Sequence, residues 1–163
     1  MRFNDSVEIG LPRHEVFRLI SDPGHLPKWL RGLVSHEPVS GVHGEVGTVS
    51  RVVFWNGSER MEATETITAR EPSDPAGAPG ETLVEFEREL VADGMRSVTR
   101  DRLIELNPRR TRWESENEYS FDGLKMRLFA PFMRNAFQKQ SRRHMQDFKA
   151  FAEHGLDVRS TEN

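Results

Sequence analysis

The chain has 163 residues and a formal net charge of −3, so its length predicts one domain and its charge gives no reason to expect a nucleic-acid partner. It contains no cysteine, which excludes disulfides, thiolate metal sites and cysteine nucleophiles and fits a reducing compartment. The first residues lack the apolar run of a signal peptide, and no segment approaches the ~20 apolar residues of a membrane span, so we expect a cytoplasmic protein.

The N-terminal part of the chain predicts one strand followed by two short helices. Apolar residues at mostly alternate positions predict the strand over residues 3–11. Pro12 suits a first helical turn, and residues 14–21 form the first predicted helix. The Asp-Pro-Gly sequence at residues 22–24 ends that helix. Residues 25–33 carry leucine and tryptophan at helical spacing and predict the second helix.

Six further strands are predicted between the second helix and residue 121. Asn56-Gly57 is the strongest hairpin signal, because both residues accept positive φ angles. Residues 71–80 are rich in turn-forming residues and predict a polar loop. The predicted strands span residues 34–42, 47–55, 59–70, 82–90, 96–106 and 111–121.

The best-defined predicted element is a long amphipathic helix over residues 131–154. Its apolar residues recur at spacings of three and four, which predicts one buried stripe. Gly155 follows where a helix C-terminus is expected, and the polar residues 156–163 predict a disordered tail. One domain is therefore expected over residues 1–155. The stripe contains Phe137, Ser141, His144, Met145, Phe148, Phe151 and Ala152.

This order of elements predicts an α+β fold. We expect a curved antiparallel sheet, accompanied by two short helices, that wraps around the long C-terminal helix. Such an arrangement tends to enclose a cavity instead of a solid core. The chain is therefore expected to receive a small apolar molecule.

Three segments resemble the START/polyketide-cyclase (SRPBCC, helix-grip) superfamily. Residues 7–17 (VEIGLPRHEVF) are similar to its opening strand and first helix, and residues 21–29 (SDPGHLPKW) to its second helix. The closing strand and long helix are the third segment, and together the three cover residues 3–154. The resemblance implies a seven-stranded antiparallel sheet that grips the last helix around a cavity. The superfamily includes lipid carriers, hormone receptors, cyclases and quinone-binding proteins, so the fold does not fix an activity.

The last strand carries the clearest candidate for a ligand-binding wall. Its glutamates share one face and belong in water, so the other face, with serine and asparagine at its centre, points inward. Burying these two side chains without partners costs ~1–3 kcal/mol each, which favours a ligand-filled or water-filled cavity. With the stripe of the last helix, the predicted ligand-binding residues are Trp113, Ser115, Asn117, Tyr119, Phe86, Phe137, Ser141, His144, Met145 and Phe148.

The orientation of two arginines on the preceding strand depends on its register. In one register Arg100 and Arg102 pair with glutamates on the solvent side and Asp101 faces inward. A shift of one residue turns both arginines into the cavity, where they would bind an anionic group or a carboxylate such as Glu65. We favour the solvent side slightly.

The segment 124–133 is more apolar than a connection between strand and helix requires. It is consistent with a ligand gate, a membrane-touching lip, a homodimer contact or ordinary packing at the start of the helix. The helix that follows is basic, which also allows contact with anionic lipid or RNA, although such a face is more often only solvated.

Three functional hypotheses follow. The first is a protein that binds a hydrophobic or aromatic small molecule, such as a lipid, a polyketide or a quinone-like compound. The second is a polyketide cyclase/dehydratase-like enzyme, and the third is a membrane- or RNA-associated module that uses the basic helix. No catalytic residue, metal or cofactor is assigned, because the sequence shows no metal-ligand spacing and no nucleotide-binding motif. Candidates for the enzyme would be His144, Arg100, Arg102, Asn117 and Tyr119.

Overall fold

The structure is a computed structural model that describes residues 1–72 and 83–161. The elements follow the predicted order of one strand, two short helices, six strands and one long helix. The helices are α1 (Arg13–Ser21), α2 (Leu26–Trp29) and α3 (Leu124–His154). The strands are β1 (Arg2–Ile9), β2 (Leu33–Ser40), β3 (Val49–Trp55), β4 (Arg60–Glu71), β5 (Leu83–Ala92), β6 (Met95–Asn107) and β7 (Arg110–Phe121).

All seven strands form one antiparallel sheet in the order β1-β7-β6-β5-β4-β3-β2. The helix α3 makes its most extensive contacts with the edge strand β1. Several polar contacts hold it there; among them, Arg142 pairs with the buried Asp5 at 2.6 Å, and Lys149 donates to the carbonyl of Glu8 at 2.6 Å. The predicted α+β helix-grip fold is confirmed.

One end of the space between sheet and helices is a packed core. Phe148 of α3 is fully buried, and its ring lies 5.1 Å from that of Trp29 and 5.4 Å from that of Trp113 in edge-on contacts. Ile9 and Val16 are also fully buried in this cluster. Aromatic residues thus supply much of the apolar surface that stabilises the fold.

The second helix is shorter than predicted because Gly32 redirects the chain. Its φ angle is +81°, and an added Cβ would come within 2.6 Å of the carbonyl oxygen of Trp55. The amide of Trp55 donates to the carbonyl of Gly32 at 2.7 Å, so β2 begins directly after this turn. Leu33, predicted to end the helix, therefore starts the edge strand.

The start of the last helix and the segment that follows it differ from the prediction. The helix starts at Leu124 and contains Pro131, which the sequence pattern predicts as its first residue. It ends at His154, as predicted, and the Gly155 that follows adopts the expected left-handed conformation with φ +67°. The tail predicted over 156–163 is wrong for its first part, because residues 158–161 form a short 3₁₀ helix in which Val158 is buried. Residues 73–80 of the predicted loop and residues 162 and 163 lie outside the described residues.

The first half of α3 exposes large apolar side chains, which leads to a stability prediction. Phe129 and Phe132 are 61% and 82% exposed. We expect Phe132→Ala to lower the free energy of unfolding by less than about 0.5 kcal/mol, because truncating an exposed side chain removes few contacts. Urea denaturation of this variant is compared with that of Phe121→Ala, which truncates a buried ring. Equal losses in the two variants would contradict the exposed position of Phe132.

Candidate ligand-binding site

A cavity of about 500 Å³ lies between the concave face of the sheet and α3. This volume is in the range of pockets that hold small organic molecules. All three tryptophans of the chain, Trp29, Trp55 and Trp113, line it, together with the single tyrosine, Tyr119. Aromatic rings therefore form a substantial part of the cavity wall.

The opening of the cavity is marked by lining residues that also contact solvent. Among the described lining residues, Trp55, Asn56 and Gln140 are exposed. Trp55 and Asn56 lie where β3 turns toward β4, and Gln140 lies in the middle of α3. The mouth is thus formed between the β3–β4 turn and the long helix.

Nearly all of the residues predicted to bind a ligand meet at this cavity. Phe148 does not line it, because it packs in the core against two tryptophans. The binding role of the others stays a prediction. The predicted residues that line the cavity are Trp113, Ser115, Asn117, Tyr119, Phe86, Phe137, Ser141, His144 and Met145.

The polar residues at the centre of β7 partly satisfy one another. Asn117 accepts a hydrogen bond from the hydroxyl of Thr99 at 3.0 Å, and its amide donates to the hydroxyl of Ser115 at 3.2 Å. Their burial therefore does not by itself require a ligand. Asn117 has a second N–H group, which leaves one donor for a molecule in the cavity.

A charged group of the cavity, Arg88, is not among the residues predicted from the sequence. It lies on β5 between Phe86 and Leu90 at two-residue spacing, so it shares their inward face. Its guanidinium lies 3.6 Å from the carboxylate of Asp101, and its side chain keeps 35% of its accessible surface, which it presents to the cavity. In the sequence of this strand Glu85, Glu87 and Glu89 alternate with Phe86, Arg88 and Leu90, and this alternation could have revealed it.

Two carboxylates keep Arg88 charged inside the protein. Burial lowers the pKa of Arg88, but the negative charges of Asp101 and Glu65 outweigh this effect and raise it. The side chain of Asp101 is fully buried and accepts a hydrogen bond from the Trp113 indole at 2.8 Å. A positive charge with fixed counter-ions therefore faces an aromatic cavity.

The other two arginines of interest lie outside the cavity, as slightly favoured from the sequence. Arg100 contacts Glu87 at 2.6 Å and Glu116 at 3.0 Å, and Arg102 contacts Glu85 at 2.6 Å. This register turns Asp101 inward. Arg100 and Arg102 can therefore no longer serve as cavity residues of the cyclase hypothesis.

A histidine and a glutamate form a second polar group on the wall. The Nε2 atom of His36 on β2 lies 2.9 Å from the carboxylate of Glu65 on β4, with β3 between them. Burial raises the pKa of Glu65, but the hydrogen bond with His36 and the charge of Arg88 hold it below its usual value.

His43 lies beside His36, with ring centres 5.7 Å apart, and donates to the carbonyl of Ser21. No cluster of three metal-ligating side chains occurs in the described part of the chain.

Two further polar groups of the cavity are His144 and Tyr119. Burial lowers the pKa of His144 to about 4, although Asp147 opposes the shift, so the imidazole is neutral near pH 7. Burial also raises the pKa of the Tyr119 phenol, which Arg88 opposes. Within the described residues, neither the imidazole nor the phenol hydroxyl has a hydrogen-bond partner. Both are available to a bound molecule.

Comparison with known families supports this architecture. The sequence profile of the family described as polyketide cyclase / dehydrase and lipid transport matches residues 1–153. The chain belongs to this family. No curated protein sequence matches the chain.

Solved structures that resemble this member of the cyclase and lipid-transport family share its fold at low identity. The Zhui aromatase/cyclase from Streptomyces sp. R1128 has a TM-score of 0.73 and 14% identity over 100% of this chain and 98% of its own. Norcoclaurine synthase from Thalictrum flavum has a TM-score of 0.62 and 18% identity over 94% and 87%. A conserved protein from Geobacillus kaustophilus has a TM-score of 0.69 and 12% identity over 93% and 95%. At such identities the likeness shows the fold alone.

None of the helices within residues 1–72 and 83–161 is both long and apolar enough to cross a membrane.

The low pKa of His144 makes the stability of this family member depend on pH. In the unfolded chain the imidazole binds a proton below about pH 6.5, whereas in the folded protein it does so only below about pH 4. Between these values the unfolded state binds more protons. Stability should therefore fall by up to about 1.4 kcal/mol for each pH unit as the pH decreases through this window.

We expect His144→Gln to remove that part of the pH dependence. Urea denaturation of both proteins across the window measures the difference between their free energies of unfolding. The contribution of the carboxylates, which both proteins share, cancels in this difference. Parallel curves for the two proteins would contradict a neutral, buried imidazole.

Proposed function

We propose that the protein binds an aromatic small molecule that carries oxygen substituents, polyketide-like or quinone-like, in the cavity beneath α3. The observation that carries this proposal is the charged guanidinium of Arg88 within an aromatic wall. Asp101 is its nearest carboxylate among the described residues and lies at 3.6 Å, so donors of Arg88 remain for a carbonyl, phenolate or carboxylate.

The distribution of polar groups favours such a molecule over a simple lipid. Arg88, Tyr119, His144 and the free amide proton of Asn117 come from three different elements. An alkyl chain would leave these groups without partners, which costs about 1–3 kcal/mol for each buried group. A flat molecule with several oxygen atoms can pair with them while its rings contact the tryptophans.

Native mass spectrometry of protein purified from its own host tests the ligand class. We expect a co-purified compound of low mass that contains an oxygenated aromatic ring. Recovery of a phospholipid or a fatty acid instead would contradict the proposed class. A cytoplasmic location, which the lack of cysteine favours, remains part of the proposal.

A second candidate function is an aromatic cyclase, which the presence of neutral His144 and charged Arg88 in one cavity supports. A neutral imidazole can accept a proton from a methylene carbon between two carbonyl groups, and the guanidinium can stabilise the enolate oxygen. The enolate carbon would then attack a second carbonyl, and the imidazolium would return its proton to the alkoxide. Loss of this hydroxyl together with a proton from the neighbouring carbon would release water and form the double bond. Incubation with a linear poly-β-ketone thioester tests this reaction. Identical product mixtures with and without the protein, or with His144→Gln, would exclude it.

A further inference from the structure

The first half of α3 presents an apolar surface to solvent. Four large side chains on successive turns are each more than half exposed, and a monomeric protein has no structural reason to display them together. We call this surface the apolar start of α3. It consists of Leu124, Leu128, Phe129 and Phe132.

The charged side chains along this part of α3 have one sign. No aspartate or glutamate occurs from residue 124 to residue 146, although the whole chain has a formal net charge of −3. Within the described residues, Lys125, Lys139 and Arg143 have no carboxylate partner. The basic side chains of this stretch are Lys125, Arg127, Arg134, Lys139, Arg142 and Arg143.

Apolar and basic residues share a face of the helix. Lys139 and Arg143 follow Phe132 at spacings of seven and eleven residues, which places all three on one side of α3. An apolar patch continued by cations is the arrangement with which amphipathic helices bind the interface of an anionic bilayer.

The apolar start of α3 is also continuous with the mouth of the cavity. Phe129, Met133, Ala136 and Gln140 form one helical stripe, and Gln140 is one of the exposed residues at the mouth. Trp55, on the other side of the mouth, is 49% exposed. A surface that binds the start of α3 would therefore lie next to the opening.

We propose that the apolar start of α3 docks on the surface of an anionic lipid bilayer and places the cavity mouth at that surface. A second copy of the chain is a poorer occupant, because two segments of the same positive charge would meet. RNA offers phosphate charges but no apolar medium for Phe132. The docking does not depend on the class of ligand inside the cavity.

Vesicle co-sedimentation tests the proposal. We expect the protein to bind vesicles of phosphatidylcholine mixed with phosphatidylglycerol, and to bind pure phosphatidylcholine much more weakly. Phe132→Ser should weaken binding by at least about tenfold, because the ring no longer leaves water. Lys139→Glu/Arg143→Glu should weaken it by about fivefold for each positive charge removed. Higher salt should reduce binding.

Matched controls distinguish an effect of this surface of α3 from general effects of losing an apolar side chain or a positive charge. Val39→Ser removes another exposed apolar side chain, on β2, and Arg18→Glu/Arg109→Glu makes the same charge change on exposed residues elsewhere. Both controls should bind like the unmodified protein. The proposal would be overturned if the protein bound neither kind of vesicle. It would also be overturned if the controls and the test variants lost vesicle affinity equally. A dimer or an RNA complex that depends on Phe132 when vesicles are not bound would overturn it as well.

Discussion

We expect Arg88→Met to weaken the binding of a hydroxylated anthraquinone by roughly 10- to 100-fold. The guanidinium is a charged donor on the inward face of β5, and hydrogen bonds to charged groups contribute about 1.5–3 kcal/mol. Methionine keeps much of the side-chain length and the apolar stem, so loss of volume is small. Isothermal titration calorimetry measures the change in affinity.

The matched control for this experiment is Arg102→Met. Arg102 pairs with Glu85 on the outer face of the sheet, so its replacement should leave the affinity unchanged. Equal affinities of the Arg88→Met variant and the unmodified protein would remove the observation on which the proposed ligand class rests.

Loss of Arg88 also affects stability, and a double variant separates the two effects. In Arg88→Met the buried carboxylate of Asp101 loses its counter-ion, so we expect a lower free energy of unfolding. Adding Asp101→Asn removes that charge while its amide oxygen can still accept the hydrogen bond from Trp113. Stability should recover in the double variant, whereas ligand affinity should not. Recovery of both would indicate that Arg88 acts only through folding.

We expect Phe148→Ala to have the largest effect on stability. Phe148 is fully buried against Trp29 and Trp113, and such truncations typically cost about 3–5 kcal/mol. At about 2–4 °C per kcal/mol for a domain of this size, the melting temperature should fall by roughly 6–20 °C. A loss no larger than that of the exposed Phe132→Ala would show that the core is not organised around this ring.

Local patterns were sufficient to predict the inward faces of single elements. The glutamates of β7 fix which face meets water, so Trp113 and Asn117 were placed correctly on the cavity side. The spacing of apolar residues likewise placed Met145 and His144 on the inner face of α3. The same alternation on β5 implies an inward Arg88, but an arginine between apolar neighbours is a weak signal until its counter-ions are known.

Contacts between distant segments could not be predicted in this way. The pair His36–Glu65 joins β2 to β4 across an intervening strand, and its geometry depends on two registers at once. Pro131 was misinterpreted for a different reason, since proline is commonest in a first helical turn. Here the helix includes it, so the apolar segment before it is the start of α3 and not a connection.

Tryptophan fluorescence during titration with a hydroxylated anthraquinone tests the central claim most directly, because all three tryptophans line the cavity. The comparison uses Ser141→Phe, which adds a ring inside the cavity, and Ser120→Phe, which makes the same change on the exposed face of β7. We predict saturable quenching in the unmodified protein and in Ser120→Phe, and strongly weakened quenching in Ser141→Phe. Equal quenching in all three proteins, or none in any of them, would contradict binding in this cavity.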